Sequence, residues 1–324
     1  GGWQTLSHNP DAVPVEVPGT VEEYLTVTDN PRPENFRGVS WWYRKITIPA
    51  DQQKKRFIIY FESVRMRAEV YLDGKLVAYD LIGETPFHVD ITDEAKPGKE
   101  QLLAIRVTNP GGNFHWQDFD IMKWGEYNIP PSRSFTGIIG RVKLESVNPV
   151  FISDIYMQNT PELTKVNAIL SFTNETSSSV KQDVELIVNE KGNPDKVVFR
   201  QTLKAISFPA GNHEVTIPVN VPDAKLWDLS TPELYTCNVL IKKGKKTLDQ
   251  DKKDFGFRWF TVDGVGKDAV LRLNGRRIML RSAISWGYFP VTGLIATTEM
   301  AEKQVRTAKS LGLNMLNFHR CIGS

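Results

Sequence analysis

The sequence predicts a mainly β protein, with two β-sandwiches in tandem followed by one strand–helix–strand unit. Short runs rich in β-branched and aromatic residues recur along most of the chain, and many of them alternate apolar with polar positions. Gly, Pro and Asn separate these runs. Helical periodicity is confined to one segment near the end of the chain. We therefore predict three parts, residues 1–148, 149–262 and 263–324.

Composition excludes several classes of function. Lys and Arg total 40 against 38 Asp and Glu, and a protein that neutralises nucleic-acid phosphates needs a basic excess. Apolar runs stay far shorter than the roughly 20 residues of a membrane span, so we expect neither a nucleic-acid partner nor a membrane segment. Cys237 and Cys321 lack the spacing of a metal site. We expect no metal, no cofactor and no disulfide between these two cysteines.

Residues 1–148 read as an all-β unit with Pro and Gly punctuation. Asp73-Gly74 predicts a tight hairpin, because both turn positions need a positive φ. Many short strands of this kind predict a sandwich, of which the jelly roll is one form. Trp41 and Trp42 lie within one strand, and we expect them in the core rather than on a sugar-binding surface. The predicted strands lie in 41–48, 56–62, 68–79, 102–108 and 140–146.

Residues 149–262 form a second predicted sandwich, which begins after Asn148-Pro149 because a residue before proline is biased toward an extended conformation. The number of strands is that of an immunoglobulin-like sandwich, although the Cys-Trp-Cys pattern of antibody domains is missing. We see no chemistry in this unit and interpret it as a spacer. Its predicted strands lie in 166–172, 181–190, 196–205, 213–221, 233–244 and 252–262.

Residues 263–324 begin with a hairpin around Asn274-Gly275, whose second strand runs over 276–281. A helix over 298–311 and a strand over 314–318 follow, with Gly312 as the C-terminal stop. Strand, helix and strand make a βαβ unit, from which parallel sheets are built. Two parallel strands cannot bury both of their faces. We therefore expect the chain to end inside a larger α/β domain, and its uncovered part to dock or to self-associate as a homo-oligomer.

Motifs in all three parts resemble glycoside hydrolase family 2, which includes β-galactosidases, β-glucuronidases and β-mannosidases. The resemblance implies a jelly-roll sugar-binding domain, an immunoglobulin-like sandwich and the incomplete start of a (β/α)8 barrel. The motifs are VPGTVEEYL (17–25), WWYRKITIP (41–49), FESVRMRAEVYLDGKLV (61–77), TPFHVDIT (85–92), SFTGIIGRVKLE (134–145), LWDLSTPELYTC (226–237), FGFRWF (255–260), RLNGRRIMLR (272–281) and LGLNMLNFHR (311–320).

The resemblance implies a retaining glycosidase that degrades β-linked carbohydrates through two glutamates on later barrel strands. The catalytic pair is therefore expected beyond residue 324, and the chain itself is expected to be inactive. Arg281-Ser282-Ala283-Ile284 departs from the Arg-Gly-Val-Asn or Arg-Gly-Ala found in many members, and Asn317 stands where many have an arginine. These departures leave the choice among galactosides, mannosides and glucuronides open.

The resemblance also places substrate-binding candidates at the rim of the barrel and in the long segment 109–131, which is too long to be a simple loop. The alternatives are ordinary roles: Trp286 packing on its own domain, His319 bonded to backbone, and the two carboxylates in solvent. The sequence does not choose between Asp118 and Asp120. The candidates are Asp118, Asp120, Trp286, Asn317, His319 and Arg320.

Two other functions compete with a glycosidase: a carbohydrate-binding lectin built on the first sandwich, and a structural or adhesive array of sandwiches. The βαβ unit favours the glycosidase, because neither alternative needs one. Enzymes of this build are often exported, so we expect a periplasmic or secreted protein and leave a cytoplasmic one open.

Overall fold

A computed structural model describes residues 12–25, 38–53, 55–81, 85–109, 123–124, 127–128, 136–285 and 298–318 of the chain. Its contacts form two compact units, residues 1–146 with 281–324, and residues 147–280. The predicted boundaries at 148 and 262 stay predictions. No helix among the described residues is long and apolar enough to cross a membrane.

The first unit opens with a β-sandwich that has one short helix. Its elements are β1 (Gly19–Thr20), α1 (Val21–Leu25), β2 (Gly38–Thr47), β3 (Arg56–Phe61), β4 (Arg67–Leu72), β5 (Lys75–Asp80), β6 (Phe87–Asp90), β7 (Glu100–Asn109), β8 (Lys123–Trp124), β9 (Tyr127–Asn128), β10 (Gly137–Ile138) and β11 (Val142–Val147). The larger sheet has the strand order β2-β7-β4-β5 and the smaller one β11-β3-β6. The described residues also form two short strand pairs, β1–β10 and β8–β9.

The core of this sandwich lies between its two sheets. Phe61 on β3 is fully buried, as is Val70 on β4, and both belong to one apolar cluster. Asp73 and Gly74 have φ values of 48° and 84° between β4 and β5, which confirms the first predicted hairpin. Trp42 is buried in the cluster, but Trp41 points to the opposite face of the sheet, where it contacts Tyr43 and Tyr71. The prediction of a core position is therefore wrong for Trp41, because adjacent residues of a strand face opposite sides.

The second unit is a sandwich of three strands against four. Its elements are β12 (Val150–Asn159), β13 (Lys165–Asn174), β14 (Val180–Glu190), β15 (Val197–Phe208), β16 (Gly211–Asn220), β17 (Tyr235–Lys243), β18 (Lys246–Phe255), β19 (Phe260–Asp263), β20 (Val270–Leu273) and β21 (Arg276–Arg277). The sheets have the orders β12-β13-β16 and β15-β14-β17-β18, and β19-β20-β21 forms a third, smaller sheet. This is the arrangement expected of an immunoglobulin-like sandwich.

Alternating burial along single strands builds the second core. On β13 every second residue is buried, from Val166 to Asn174, and β17 shows the same period. Cys237 on β17 is a free and fully buried thiol, and burial raises its pKa to about 12. Cys321, with which we expect no disulfide, lies outside the described residues.

The hairpin β20–β21 is joined to the sandwich through Asn274. Asn274 and Gly275 have φ values of 52° and 78°, which confirms the second predicted hairpin. Asn274 Oδ1 accepts a hydrogen bond of 2.9 Å from the Trp259 N–H, and Asn274 Nδ2 donates one of 2.9 Å to the carbonyl of Trp227. The same residue therefore forms the turn and holds it against two other segments of the unit.

The strand–helix–strand part consists of β22 (Ser282–Ser285), α2 (Thr298–Ser310) and β23 (Met315–Phe318). β22 and β23 pair in parallel, which confirms the predicted βαβ unit. The helix ends as expected at Gly312, with the Leu313 N–H bonded to the Ala308 carbonyl and the Gly312 N–H to that of Lys309.

The first strand of this unit lies later than predicted. The predicted strand 276–281 instead splits: β21 continues the hairpin, and the Ile278 N–H still bonds back to the Leu271 carbonyl. The parallel ladder begins only at Ser282. One residue before it, the Arg281 N–H donates a 2.8 Å hydrogen bond to Asn314 Oδ1. Apolar alternation in the sequence cannot separate these two ladders, since each uses the same pattern.

Asn274 provides a test of the hairpin anchor. We expect Asn274→Gly to lower the free energy of unfolding of the second unit by about 1–3 kcal/mol, because two side-chain hydrogen bonds are lost. Asn274→Ala should cost about 1 kcal/mol more, since a side chain at positive φ is strained. Urea unfolding followed by tryptophan fluorescence measures both. Gln158→Ala, an exposed position on β12, is the control; values for both Asn274 variants equal to that control would contradict this role.

The outer face of the four-stranded sheet in this unit carries an ion-pair group that predicts a pH dependence. Lys242 Nζ and Arg200 Nη1 lie 2.9 and 3.0 Å from the Glu185 carboxylate, which is largely buried. The hydrogen bond from Lys242, helped by both positive charges, holds the pKa of Glu185 below its usual value. A carboxylate with a depressed folded-state pKa stabilises the fold above its unfolded pKa, and this stability is lost as the pH falls through the folded pKa.

We therefore expect Glu185→Gln to be less stable than the wild type at pH 6 and to approach it as the pH falls from 5 to 3. Chemical denaturation at stepwise pH measures the difference. Glu214→Gln, on the exposed side of β16, serves as the control for the loss of one negative charge. A difference between wild type and Glu185→Gln that stays constant from pH 6 to pH 3 would refute the assignment.

Candidate functional site

The described residues frame the predicted site at two places: the base of segment 110–135 in the first sandwich, and the ends of β22 and β23. Segment 110–135 follows β7 and precedes β10, and only one short strand pair within it, β8–β9, is described. Asp118 and Asp120 fall on residues outside the described ones. Trp286, His319 and Arg320 do so as well. Only Asn317 among the six candidates has a described position.

The base of segment 110–135 is closed by a buried hydrogen bond. Asn109 is the last residue of β7 and Thr136 immediately precedes β10, and their side chains are 5% and 0% exposed. Asn109 Nδ2 donates to Thr136 Oγ1 at 2.9 Å. The two ends of the segment therefore leave the sandwich at one point.

The stretch around α1 packs against the same point. The Val21 N–H donates a 2.6 Å hydrogen bond to the carbonyl of Thr136, and β1 pairs with β10. Thr20, which is fully buried, accepts a hydrogen bond of 3.1 Å on Oγ1 from the Glu23 N–H. The VPGTVEEYL and SFTGIIG motifs are therefore joined here by backbone hydrogen bonds.

A buried arginine adds a positive charge to this end of the sandwich. Arg65 is 2% exposed, and its backbone exchanges hydrogen bonds of 2.8 and 2.9 Å with Gly137. A Cβ at Gly137 would lie 2.4 Å from the carbonyl oxygen of Gly19, so only glycine fits between these strands. A guanidinium withdrawn from water is costly unless it is held by acceptors.

The second place is the edge at which two parallel strands end together. Ser285 on β22 pairs with Phe318 on β23, so both carboxyl ends lie at the same edge. Asn317 pairs with Ile284 one residue before this edge, and it is exposed. In sheets of this kind, binding residues collect beyond the carboxyl ends of strands. Among the residues that the structure describes, no group of His, Cys, Asp or Glu is arranged to hold a metal ion.

Two family models match the chain in the order that this architecture implies. "Glycosyl hydrolases family 2, sugar binding domain" matches residues 12–129, and "Glycosyl hydrolases family 2" matches residues 150–258. The chain belongs to glycosyl hydrolase family 2.

Curated family 2 relatives resemble most of this chain at low identity. A β-glucuronidase of Formosa agariphila is 26% identical over 267 residues, which are 79% of this chain and 26% of the relative. A β-galactosidase of Thermoanaerobacterium thermosulfurigenes is 27% identical over 279 residues, 83% of this chain and 36% of the relative. The chain thus spans between a quarter and somewhat over a third of the length of these relatives.

Solved structures share the fold. A β-glucuronidase of Bacteroides uniformis superposes with a TM-score of 0.72 at 23% identity, over 94% of this chain and 35% of that one. A putative β-galactosidase of Bacteroides fragilis gives a TM-score of 0.75 at 17% identity, over 96% of this chain and 45% of that one. At such identities the likeness establishes the fold of this family 2 chain and nothing about its substrate.

Sequence reasoning missed the polar group at the base of segment 110–135. From the sequence we named none of Asn109, Thr136 and Arg65 as a candidate, although the motifs that contain Arg65 and Thr136 were part of the family resemblance. The available signal was an arginine two residues before a strand whose alternate residues are apolar. Only the paired backbone reveals that its side chain is buried.

The closing hydrogen bond can be tested by removing one hydroxyl. We expect Thr136→Val to lower the free energy of unfolding of the first unit by about 1–2 kcal/mol, because the amide of Asn109 loses a buried acceptor. Chemical denaturation measures the change. Thr173→Val removes a comparable but exposed hydrogen bond, of 3.2 Å to Asn212, and should change stability by at most ~0.5 kcal/mol. Equal effects of the two substitutions would show that the buried hydrogen bond contributes no more stability than the exposed one, which would contradict the prediction.

Proposed function

We propose that this chain is the amino-terminal part of a retaining glycoside hydrolase that acts on β-linked glycosides. The supporting observation is the order of its parts: a match to the sugar-binding domain, then a match to the second family domain, and then the parallel β22–α2–β23 unit. A βαβ unit is the repeating element of a (β/α)8 barrel, and barrel enzymes place their chemistry beyond the carboxyl ends of the strands.

Retaining hydrolysis needs two carboxyl groups about 5–5.5 Å apart, one as nucleophile and one as acid and base. We infer that this pair is supplied by barrel strands that would follow β23. In that arrangement the present residues contribute to the walls of the sugar site. Asn317 and the residues after Ser285 and Phe318 would contact the sugar from the barrel, and Asp118 or Asp120 from the first sandwich.

The relatives suggest which glycosides to test first. Proteins similar to this chain include β-glucuronidases and β-galactosidases. Three of the similar proteins, all from Formosa agariphila, are named as β-glucuronidases, two of them as putative ones. A β-glucuronide is therefore the first substrate of choice, and a β-galactoside the second.

The test compares this 324-residue chain with the full product of its gene. We expect the full product to release the aglycone from p-nitrophenyl β-glucuronide or β-galactoside, and the 324-residue chain to show no turnover on either. The anomer first formed by the full product, read by proton NMR, should have the β configuration, as a retaining mechanism requires.

Two results would contradict the proposal. One is turnover by the 324-residue chain that a point substitution within it abolishes, since the chemistry would then reside here. The other is an inverted first product, since inverting enzymes use a different separation of the two carboxyl groups.

A further inference from the structure

The outer face of the sheet β2-β7-β4-β5 carries aromatic rings that the core does not require. Trp41 and Tyr43 on β2, Tyr71 on β4 and Tyr79 on β5 form this group, which we call the aromatic platform. The adjacent Trp42 and Val70 point the other way, into the core. A solvated sheet face is ordinarily polar, so clustered aromatic residues at outward positions indicate a recognition surface.

Three of the rings support one another over a small residue. Tyr43 and Tyr71 are the cross-strand neighbours of Ala104 on either side, and Ala104 is 1% exposed although it faces outward. The Trp41 ring centroid lies 6.2 Å from that of Tyr43 and 5.7 Å from that of Tyr71. The rings thus close over Ala104 and form a rigid surface. Tyr79, two strands away from Ala104, is 66% exposed.

An ion pair lies between the aromatic residues. Trp41, Arg106, Glu69 and Tyr79 are successive cross-strand neighbours, so they form one row across four strands. Arg106 Nη1 lies 3.0 Å from Glu69 Oε2, and the Tyr71 hydroxyl donates to the same oxygen at 2.9 Å. Both charged side chains keep part of their surface in solvent, 20% for Arg106 and 34% for Glu69. They are held in place before any ligand arrives, which lowers the entropic cost of binding.

This combination matches the chemistry of a pyranose chain. The C–H face of a sugar ring packs against an aromatic ring, and the hydroxyl groups at its edge bond to carboxylate and guanidinium groups. Neighbouring strands are about 4.8 Å apart, so the row from Trp41 to Tyr79 spans roughly 14 Å, the length of an oligosaccharide rather than a monosaccharide.

We propose that the aromatic platform binds a β-linked glycan chain along the outer face of the sheet, on the side opposite the core. The proposal rests on the proposed carbohydrate substrate but not on hydrolysis. Such a site would keep a polymeric substrate near the enzyme without taking part in bond cleavage.

Affinity electrophoresis of the 324-residue chain tests this directly. Native gels would contain a soluble β-glucan, a β-galactan or a polyuronate. We expect at least one of these polymers to retard the wild type. Tyr79→Ala, at a position too exposed to affect folding, should weaken binding roughly 3- to 10-fold, and Trp41→Ala at least as much. Tyr156→Ala, at a comparably exposed aromatic position on β12 (55%), is the matched control and should bind like the wild type.

A second measurement keeps the test valid if the Trp41→Ala variant does not fold. Trp41→Phe keeps a ring at this position, so it should still bind, but the change in tryptophan fluorescence on adding the retarding glycan should be lost or strongly reduced. A fluorescence change of the same size in Trp41→Phe and wild type would place the glycan elsewhere on the chain and would overturn the proposal.

Three further results would overturn it. These are no retardation by any of the polymers, equal retardation of Tyr79→Ala and wild type, and self-association in sedimentation velocity that Tyr79→Ala abolishes, which would make the platform an interface between two copies. Failure of the proposed enzymatic function looks different: the full gene product would not cleave aryl glycosides, while binding of the polymer and its loss in Tyr79→Ala would be unaffected.

Discussion

Burial of alternate residues is the constraint on which both sandwiches depend. In β13 and β17 of the second unit, and in β3 of the first, every second side chain enters a core between two sheets. A register slip of one residue would expose that entire set, so the pairing of each strand is fixed by the core. The same constraint leaves the outward residues of the strands outside the core. Function can therefore be carried by a sheet face without a cost to the core.

Polar anchors appear where strands leave their sheets, because the backbone groups there have no ladder partner. Asn274 bonds to the backbone of Trp259 and Trp227 at the hairpin β20–β21, and Asn314 bonds to that of Arg281 before the parallel ladder begins. Asn109 closes the base of segment 110–135 through Thr136. Each anchor fixes the direction in which the chain continues. At the first candidate place, Asn109 determines where the residues beyond β7 start, whereas Asn314 fixes the start of the parallel ladder, at the end opposite the candidate edge.

Features set by neighbouring residues were predictable from the sequence, and features set by distant ones were not. Asp73-Gly74 and Asn274-Gly275 require positive φ whatever the rest of the chain does, and the end of α2 at Gly312 is equally local. By contrast, the parallel strand moved from 276–281 to Ser282–Ser285, because its pairing with β23 is decided by residues more than thirty positions away. The hydrogen bond from Asn109 to Thr136 and the burial of Arg65 have the same origin. For the candidate site, the sequence indicated the segments through family resemblance but not the polar group that supports one of them.

The outer faces of the two four-stranded sheets show how similar surfaces can serve different purposes. In the second unit, Glu185 is bonded by both Lys242 and Arg200, so the charged groups of that face bond to one another. In the first unit, the carboxylate of Glu69 is held by Arg106 and Tyr71 within a row that ends in aromatic rings on both sides. Charged groups that pair with one another remain well solvated at the surface. Aromatic rings at a surface, by contrast, are stabilised when a ligand covers them. A polar face of the first kind maintains solubility. A face of the second kind exposes aromatic surface to water, which is unfavourable in free energy. A glycan that covers the rings and bonds to the charged pair would remove this unfavourable exposure.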